Sequence, residues 1–196
     1  SNAELAVHLP AWCRAQGHSL TPAEGESTWW IVRGSVEEGR WRDAERAGEA
    51  NPSHVGAVVN SPKATWGLAA RGATVEAGGP PFQFALAEKD ALWAEEAAHL
   101  YQQALTAQWN PDDAIDWSAS FELPNEIEDA VVQVMTYLIE NENAALLMPA
   151  RFLGQVHPHF REVMQLLAIQ IADEARHVEV FTRRALLKRE RMGLST

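Results

Sequence analysis

Residues 140–153, ENENAALLMPARFL, and residues 172–181, ADEARHVEVF, decide the fold. In and around the first stretch, Val131, Val134, Met135, Leu138, Ile139, Ala145, Leu146 and Pro149 recur at the three- and four-residue steps of one helix face. Glu142 falls on that stripe, where a leucine would be expected, whereas Glu140 points outward. The second stretch repeats the departure. Val163, Leu167, Gln170, Ile171, Val178 and Phe181 form an inner face, and Glu174 and His177 lie within it. Burying an unpaired carboxylate is costly, so an inward glutamate must be neutralised, paired or bound to a cation.

Glu174 and His177 form an ExxH pair. At about 100° per residue, a three-residue step brings both side chains to one face, one turn apart, where both can reach a single ion. Imidazole and carboxylate suit iron, manganese or zinc, and this spacing is a helical ligand motif of di-iron bundles. The midpoint between Glu142 and Glu174 is Pro158, in the turn VHPHF. An antiparallel hairpin about that turn sets both glutamates at matching height, roughly 24 Å from it. The competing reading of the ExxH pair is a core histidine hydrogen-bonded to its helix neighbour. His157 and His159, which flank Pro158, are expected to be structural and solvent-exposed.

Outward from these helices, three long helical stretches are expected, roughly 85–109, 125–155 and 159–191. Leu92, Trp93, Ala97, Leu100, Ala104 and Leu105 give the first its buried face, and Pro111 stops it. Pro124 or Asn125 caps the second, with Glu126, Glu128 and Asp129 placed toward the helix dipole. Before them lies a different segment. Five of the eight tryptophans fall within the first 66 residues and none follows Trp117. Gly78, Gly79, Pro80 and Pro81 form a turn-rich break, so the expected division is a small α/β segment over 4–80 and a helical domain over 81–196. In the small segment, a helix starts at Pro10 and is capped by Gly17, Trp29 to Val32 is a strand, and Val36 to Glu49 is helical. The stretch His54 to Ala70 reads equally as strands or loop. Ser1, Asn2 and Ala3 read as a preparation scar and take no part in these expectations.

Composition narrows the function. Of 196 residues, 46% are hydrophobic, enough for a sizeable core, and the net charge of -11 argues against a nucleic-acid or anionic-membrane partner. Thirteen carboxylates against Lys89 alone over 88–142 read as solvated helix faces. The basic tail, Arg183 to Arg191, suits a helix C-terminus. A single cysteine, Cys13, excludes an internal disulfide and reads as a buried, inert thiol. With no apolar run of about 20 residues and no leader pattern, the expected location is cytoplasmic, with no membrane partner.

Two resemblances follow. LPAWCRAQGHSL (9–20) with STWWIVRG (27–34) resembles the second half of the TusA-like sulfur carriers. The Cys-Pro motif of that family is absent, so Cys13 inherits no sulfur-carrying role and only an α/β remnant is implied. WNPDDAIDW (109–117), ENENAALLMPARFL and ADEARHVEVF together resemble the R2-like, ferritin-like di-iron oxygenases, nearest to the arylamine N-oxygenase branch, over about residues 88–190. That resemblance implies a ferritin-like bundle with Glu142 as a terminal or bridging carboxylate, Glu174 as the bridging one and His177 as the nitrogen ligand. Asp173 and Arg176 would support them. A complete site needs a second Glu helix and a second ExxH helix. Glu96 and His99 make another ExxH, but beside an acidic stripe that includes Glu95 they read as surface.

The sequence therefore leads to a mainly α, incomplete four-helix bundle of three long helices, with metal ligands Glu142, Glu174 and His177. The cofactor expected is iron, as a di-iron site, or manganese, either held by this chain or absent from it. The activity expected is that of a di-iron or Mn/Fe oxidoreductase or oxygenase, or half of one, acting on a small molecule of unspecified structure. The exposed apolar face of three helices predicts a homodimer that could bring two copies of the trio together. The alternatives are a metal-free helical interaction or scaffold module and a fragment of a longer di-iron enzyme.

Overall fold

A computed structural model describes residues 2–23 and 28–195. The chain is mainly α and divides into two compact units, residues 1–91 with His157–His159, and residues 92–156 with 160–196. No helix of the described residues is long and apolar enough to cross a membrane.

In the first unit, helix α1 runs Asn2–Ala15 and carries Pro10 in its interior. The expected start at Pro10 is therefore corrected: the residues ahead of it, Glu4, Leu5, Ala6 and Leu9 among them, are good helix formers, and the turns before Pro10 propagate through it. Gly17 sits at φ 69°, with its N–H on Arg14 O at 3.0 Å and the His18 N–H on Cys13 O at 2.7 Å. These bonds satisfy the last carbonyls of α1 as a Schellman cap. Strands β1 (Ser19–Pro22) and β2 (Trp29–Val32) then pair antiparallel, Ser19 opposite Val32 and Pro22 opposite Trp29.

The helix expected over Val36 to Glu49 is not formed. Only α2, Val36–Gly39, is helical, and β3 (Glu45–Arg46) follows, paired with β4 (Thr74–Val75). Asp43 and Gly48 take left-handed φ values of 59° and 73°, which a continuous helix does not allow. Residues 54–70 are loop except for a 3-10 turn at Ala64–Trp66. Cys13, Ala47, Ala57, Val58 and Trp66 make the core of this unit, and the Trp66 indole donates to Glu45 Oε1 at 2.8 Å. The turn at residues 78–81 lies within this unit.

At the junction and in the second unit, the first expected long helix is broken into α3 (Lys89–Leu92) and α4 (Ala97–Thr106). No glycine or proline interrupts residues 93–96. Instead the Trp93 indole donates to Glu95 Oε1 at 2.9 Å, and α4 restarts with Ala97 buried. Pro111 opens rather than closes a helix: it is the first residue of α5 (Pro111–Ala114), whose cap Asn110 accepts from the Asp112 N–H.

Helices α6 (Asn125–Leu153) and α7 (Arg161–Arg189), each of 29 residues, form an antiparallel hairpin about 43 Å long. Helix α4 packs against α7. Pro124 stands at the start of α6 without a side-chain cap. Near the open end of the hairpin, Arg184 grips Glu128, and Arg189 reaches both Asp129 and Asn125. The basic residues of α7 also hold the 107–123 segment: Arg176 lies over Trp109, Arg183 over Trp117, and Arg184 with Lys188 over Phe121. That use adds to the dipole role expected of the basic tail.

Four inward assignments are corrected, among them Leu100 and Leu105 on α4, which are exposed. Val134 is exposed, its expected place taken by buried Val132 and Thr136, and Gln170 is exposed on α7. Glu140 is half-buried and accepts a hydrogen bond from Ser195. The outer face of α6 carries Ile127, Ala130, Val134, Tyr137, Asn141, Ala144 and Met148 at alternating three- and four-residue steps, all exposed. Ile127, Val134, Tyr137 and Met148 are each more than half exposed.

Candidate metal centre

The hairpin register fixes the site. Because α6 and α7 run antiparallel about the turn near Pro158, Glu142 and Glu174 stand at one height on facing helices. His177 is one turn beyond Glu174 on the same face. One ligand atom from each of Glu142, Glu174 and His177 lies within 4.8 Å of the other two. His177 Nδ1 is 3.1 Å from Glu174 Oε2 and 3.6 Å from Glu142 Oε2. Among the described residues this is the one group of three or more carboxylate, imidazole or thiol side chains so arranged.

The electrostatics follow from crowding. Burial pushes the Glu174 carboxyl above the usual carboxylate range, and the adjoining Glu142 carboxyl pushes it further, while His177 pulls it down. Two carboxylates sharing one imidazole thus leave uncompensated negative charge. A divalent cation would relieve it, and the mixture of oxygen and nitrogen donors is the kind that iron, manganese or zinc accepts. The three side chains are half-buried, so solvent still reaches the cluster.

The neighbouring groups are placed differently from one another. Arg176 Nη1 donates to Asp173 Oδ1 at 2.8 Å, and the same guanidinium bonds to Gln108 and lies 5.3 Å from the Trp109 ring. The pair thereby fastens the 107–123 segment to the helix that carries Glu174 and His177. Phe181 packs near the His177 ring, with centroids 6.3 Å apart. Glu95, Glu96 and His99 are exposed and lie outside the cluster, as their acidic surroundings suggested.

His157 and His159 depart from expectation. Both are buried, and they belong to the first unit. The His157 Nε2–H donates to Lys63 O at 3.3 Å, and its Nδ1 accepts the His159 N–H at 3.1 Å. The His159 Nε2 accepts the Val59 N–H at 2.9 Å. Their role is structural, but in a core rather than in solvent. Each ring satisfies backbone groups of chain segments far away in sequence, a demand that local patterning does not reveal.

Glu128 departs from expectation as well. It is buried and takes both guanidinium N–H groups of Arg184, at 2.6 and 3.1 Å. The available signal was its place on the inward side of α6, four residues before Val132. Comparison with protein-family models, with curated proteins and with solved structures gives no match.

Proposed function

We propose that the α6–α7 hairpin is a metal-binding unit of ferritin-like type that holds half of a carboxylate-bridged site, and that a second copy of the chain completes it as an oxidoreductase. The observation that carries this reading is the convergence of Glu142, Glu174 and His177 within 4.8 Å on two antiparallel helices. Three protein ligands fall short of what a di-iron bundle uses, in which four helices each contribute. The exposed stripe from Ile127 to Met148 offers a surface for self-association, but on the face of α6 turned away from the trio. Completion of the site therefore rests on a second copy meeting the half-buried cluster itself. The stripe's three-four spacing is that of a helix-pairing seam, and Asn141 within it is the kind of polar residue that fixes register. A bound iron or manganese pair would supply redox chemistry with dioxygen. The chain's own part is to hold the ions through the two carboxylates and the imidazole, with Phe181 excluding water from one side of the ring.

The test is metal loading and mass measured together. Stripped protein is given Mn(II), or Fe(II) without oxygen, then analysed for bound metal and by light scattering. The expected result is at least one equivalent per chain in a dimer, with binding lost in His177→Ala. Less than one equivalent in protein carrying intact ligands overturns it. A second reading, a metal-free helical interaction module, draws on the same exposed stripe without using the trio. It requires that Glu174→Ala leave both stability and assembly unchanged.

A further inference from the structure

A cavity of about 490 Å³ in the first unit is walled by Arg14, Arg33, Arg40 and Arg42, together with His18 and Asp43. Its construction begins with glycines. A Cβ on Gly17 would lie 2.0 Å from Ser35 O, and one on Gly34 would lie 2.2 Å from Gly17 O. Only glycine permits the cap of α1 to meet the segment after β2 so closely. Arg14 stands three residues before Gly17, and Arg33 immediately before Gly34. The close approach therefore gathers guanidinium groups from distant parts of the chain onto one hollow.

The charges around it do not balance. Glu76 pairs with Arg40 at 2.5 Å and stands 3.9 Å from Arg14, whose Nη1 also donates to Gly78 O at 2.7 Å. Those two arginines are thereby held in place. Arg33 and Arg42 are exposed and form no ion pair with the described residues. Asp43 is the one acid among the described residues lining the cavity. In a chain of net charge -11, four arginines against Asp43 and the adjoining Glu76 still leave positive potential concentrated in a single cleft.

We infer that this cavity binds a small phosphate monoester. Several guanidinium groups lining one cleft match a phosphoryl group, which offers three acceptor oxygens in different directions, better than a planar carboxylate that one guanidinium fork satisfies. The volume exceeds that of a bare phosphate and falls in the range of small-ligand sites, which leaves room for the esterified body. Arg14 and Arg40, already fixed, form the preorganised wall. Arg33 and Arg42 supply the charge that the ligand neutralises. The acidic remainder of the chain disfavours a nucleic-acid backbone as the source of the phosphate.

The test is calorimetric titration of the whole chain with inorganic phosphate and with glycerol 3-phosphate, using acetate at equal ionic strength as control. The expected result is one site per chain, tighter for the monoester, and silent to acetate. The double variant Arg33→Gln/Arg42→Gln should weaken binding by about tenfold or more. Arg46→Gln, on an exposed arginine outside the cavity, should leave it unchanged. Because Arg33 and Arg42 make no ion pair with the described residues, the fold should persist in the double variant, checked by circular dichroism. No measurable phosphate binding, an equal response to acetate, or an unchanged affinity in the double variant overturns the proposal. So does binding that survives in the double variant and disappears in Glu174→Gln, because it would place the phosphate at the carboxylate–histidine cluster.

Discussion

Arg184 donates through two nitrogens to the two carboxylate oxygens of Glu128, joining the open ends of α6 and α7 where Glu128 is all but sealed from solvent. The hydrogen bonds from Arg184 hold the Glu128 carboxyl below its ordinary value of 4.5, outweighing the effect of burial. A folded-state pKa below the unfolded one stabilises the protein above pH 4.5 and ceases to do so as the pH falls through the folded value. Glu128→Gln should therefore lower stability by about 2 to 3 kcal/mol at neutral pH, in line with hydrogen bonds to charged groups. The gap from the parent should narrow in acid, as urea denaturation at several pH values will show. An unchanged neutral-pH midpoint would contradict the assignment.

His157 works in the opposite chemical sense. Burial depresses its imidazole below the ordinary 6.5, and the bond to Lys63 O only partly offsets this. Below pH 6.5 the unfolded chain therefore takes up a proton that the folded chain resists, and stability falls from there until the folded value is passed. Protonation would also cost Nδ1 its role as acceptor for the His159 N–H. Thermal melts from pH 7.5 to 5.5 should show a decline in the parent that is blunted in His157→Gln.

At the carboxylate–histidine cluster, burial raises the Glu174 carboxyl above its ordinary range, and the adjoining Glu142 carboxyl adds to this by hydrogen bonding and by charge repulsion. Glu174→Gln removes that repulsion and keeps the shape. The metal-free variant should melt at or above the parent temperature at neutral pH, while the rise in melting temperature that Mn(II) gives the parent should vanish. A variant still stabilised by Mn(II) would remove Glu174 from the ligand set.

Trp117 anchors the 107–123 segment, with the Arg183 guanidinium 4.3 Å from its ring centroid and its indole donating to Pro111 O at 2.9 Å. Trp117→Ala should cost about 1 to 2 kcal/mol for a partly exposed cation–π contact and a hydrogen bond. It should also speed proteolytic cutting within 107–123 ahead of the long helices, as mass spectrometry of limited digests will test.

What could be read from the sequence was what repeats or mirrors. The spacing of Glu142 and Glu174 about Pro158 gave their shared height, and the apolar run Trp29 to Val32 gave a strand with those bounds. Local chemistry also sufficed for Gly17, since a left-handed cap after Ala15 demands glycine. Tertiary demands were harder to see. The break at residues 93–96 lacks any breaker residue, and the burial of His157 and His159 depends on Val59 and Lys63, about a hundred residues away. Glu128 looks like a helix-dipole residue until Arg184 arrives from the far end of α7. Val134 fitted the inner stripe by spacing, but on a helix with few partners the stripe is narrower than the apolar content suggests, and it faces out.

The three residues His157, Pro158 and His159 have one more implication. They are part of the first unit, yet a ribosome makes them only after all of α6. The first unit cannot close its core as its own contiguous stretch emerges; its last buried rings arrive once most of the second has been synthesised. Folding order here is therefore not reading order. A nascent chain stalled before His157 would carry a first unit with a vacancy in its middle, a natural foothold for a chaperone.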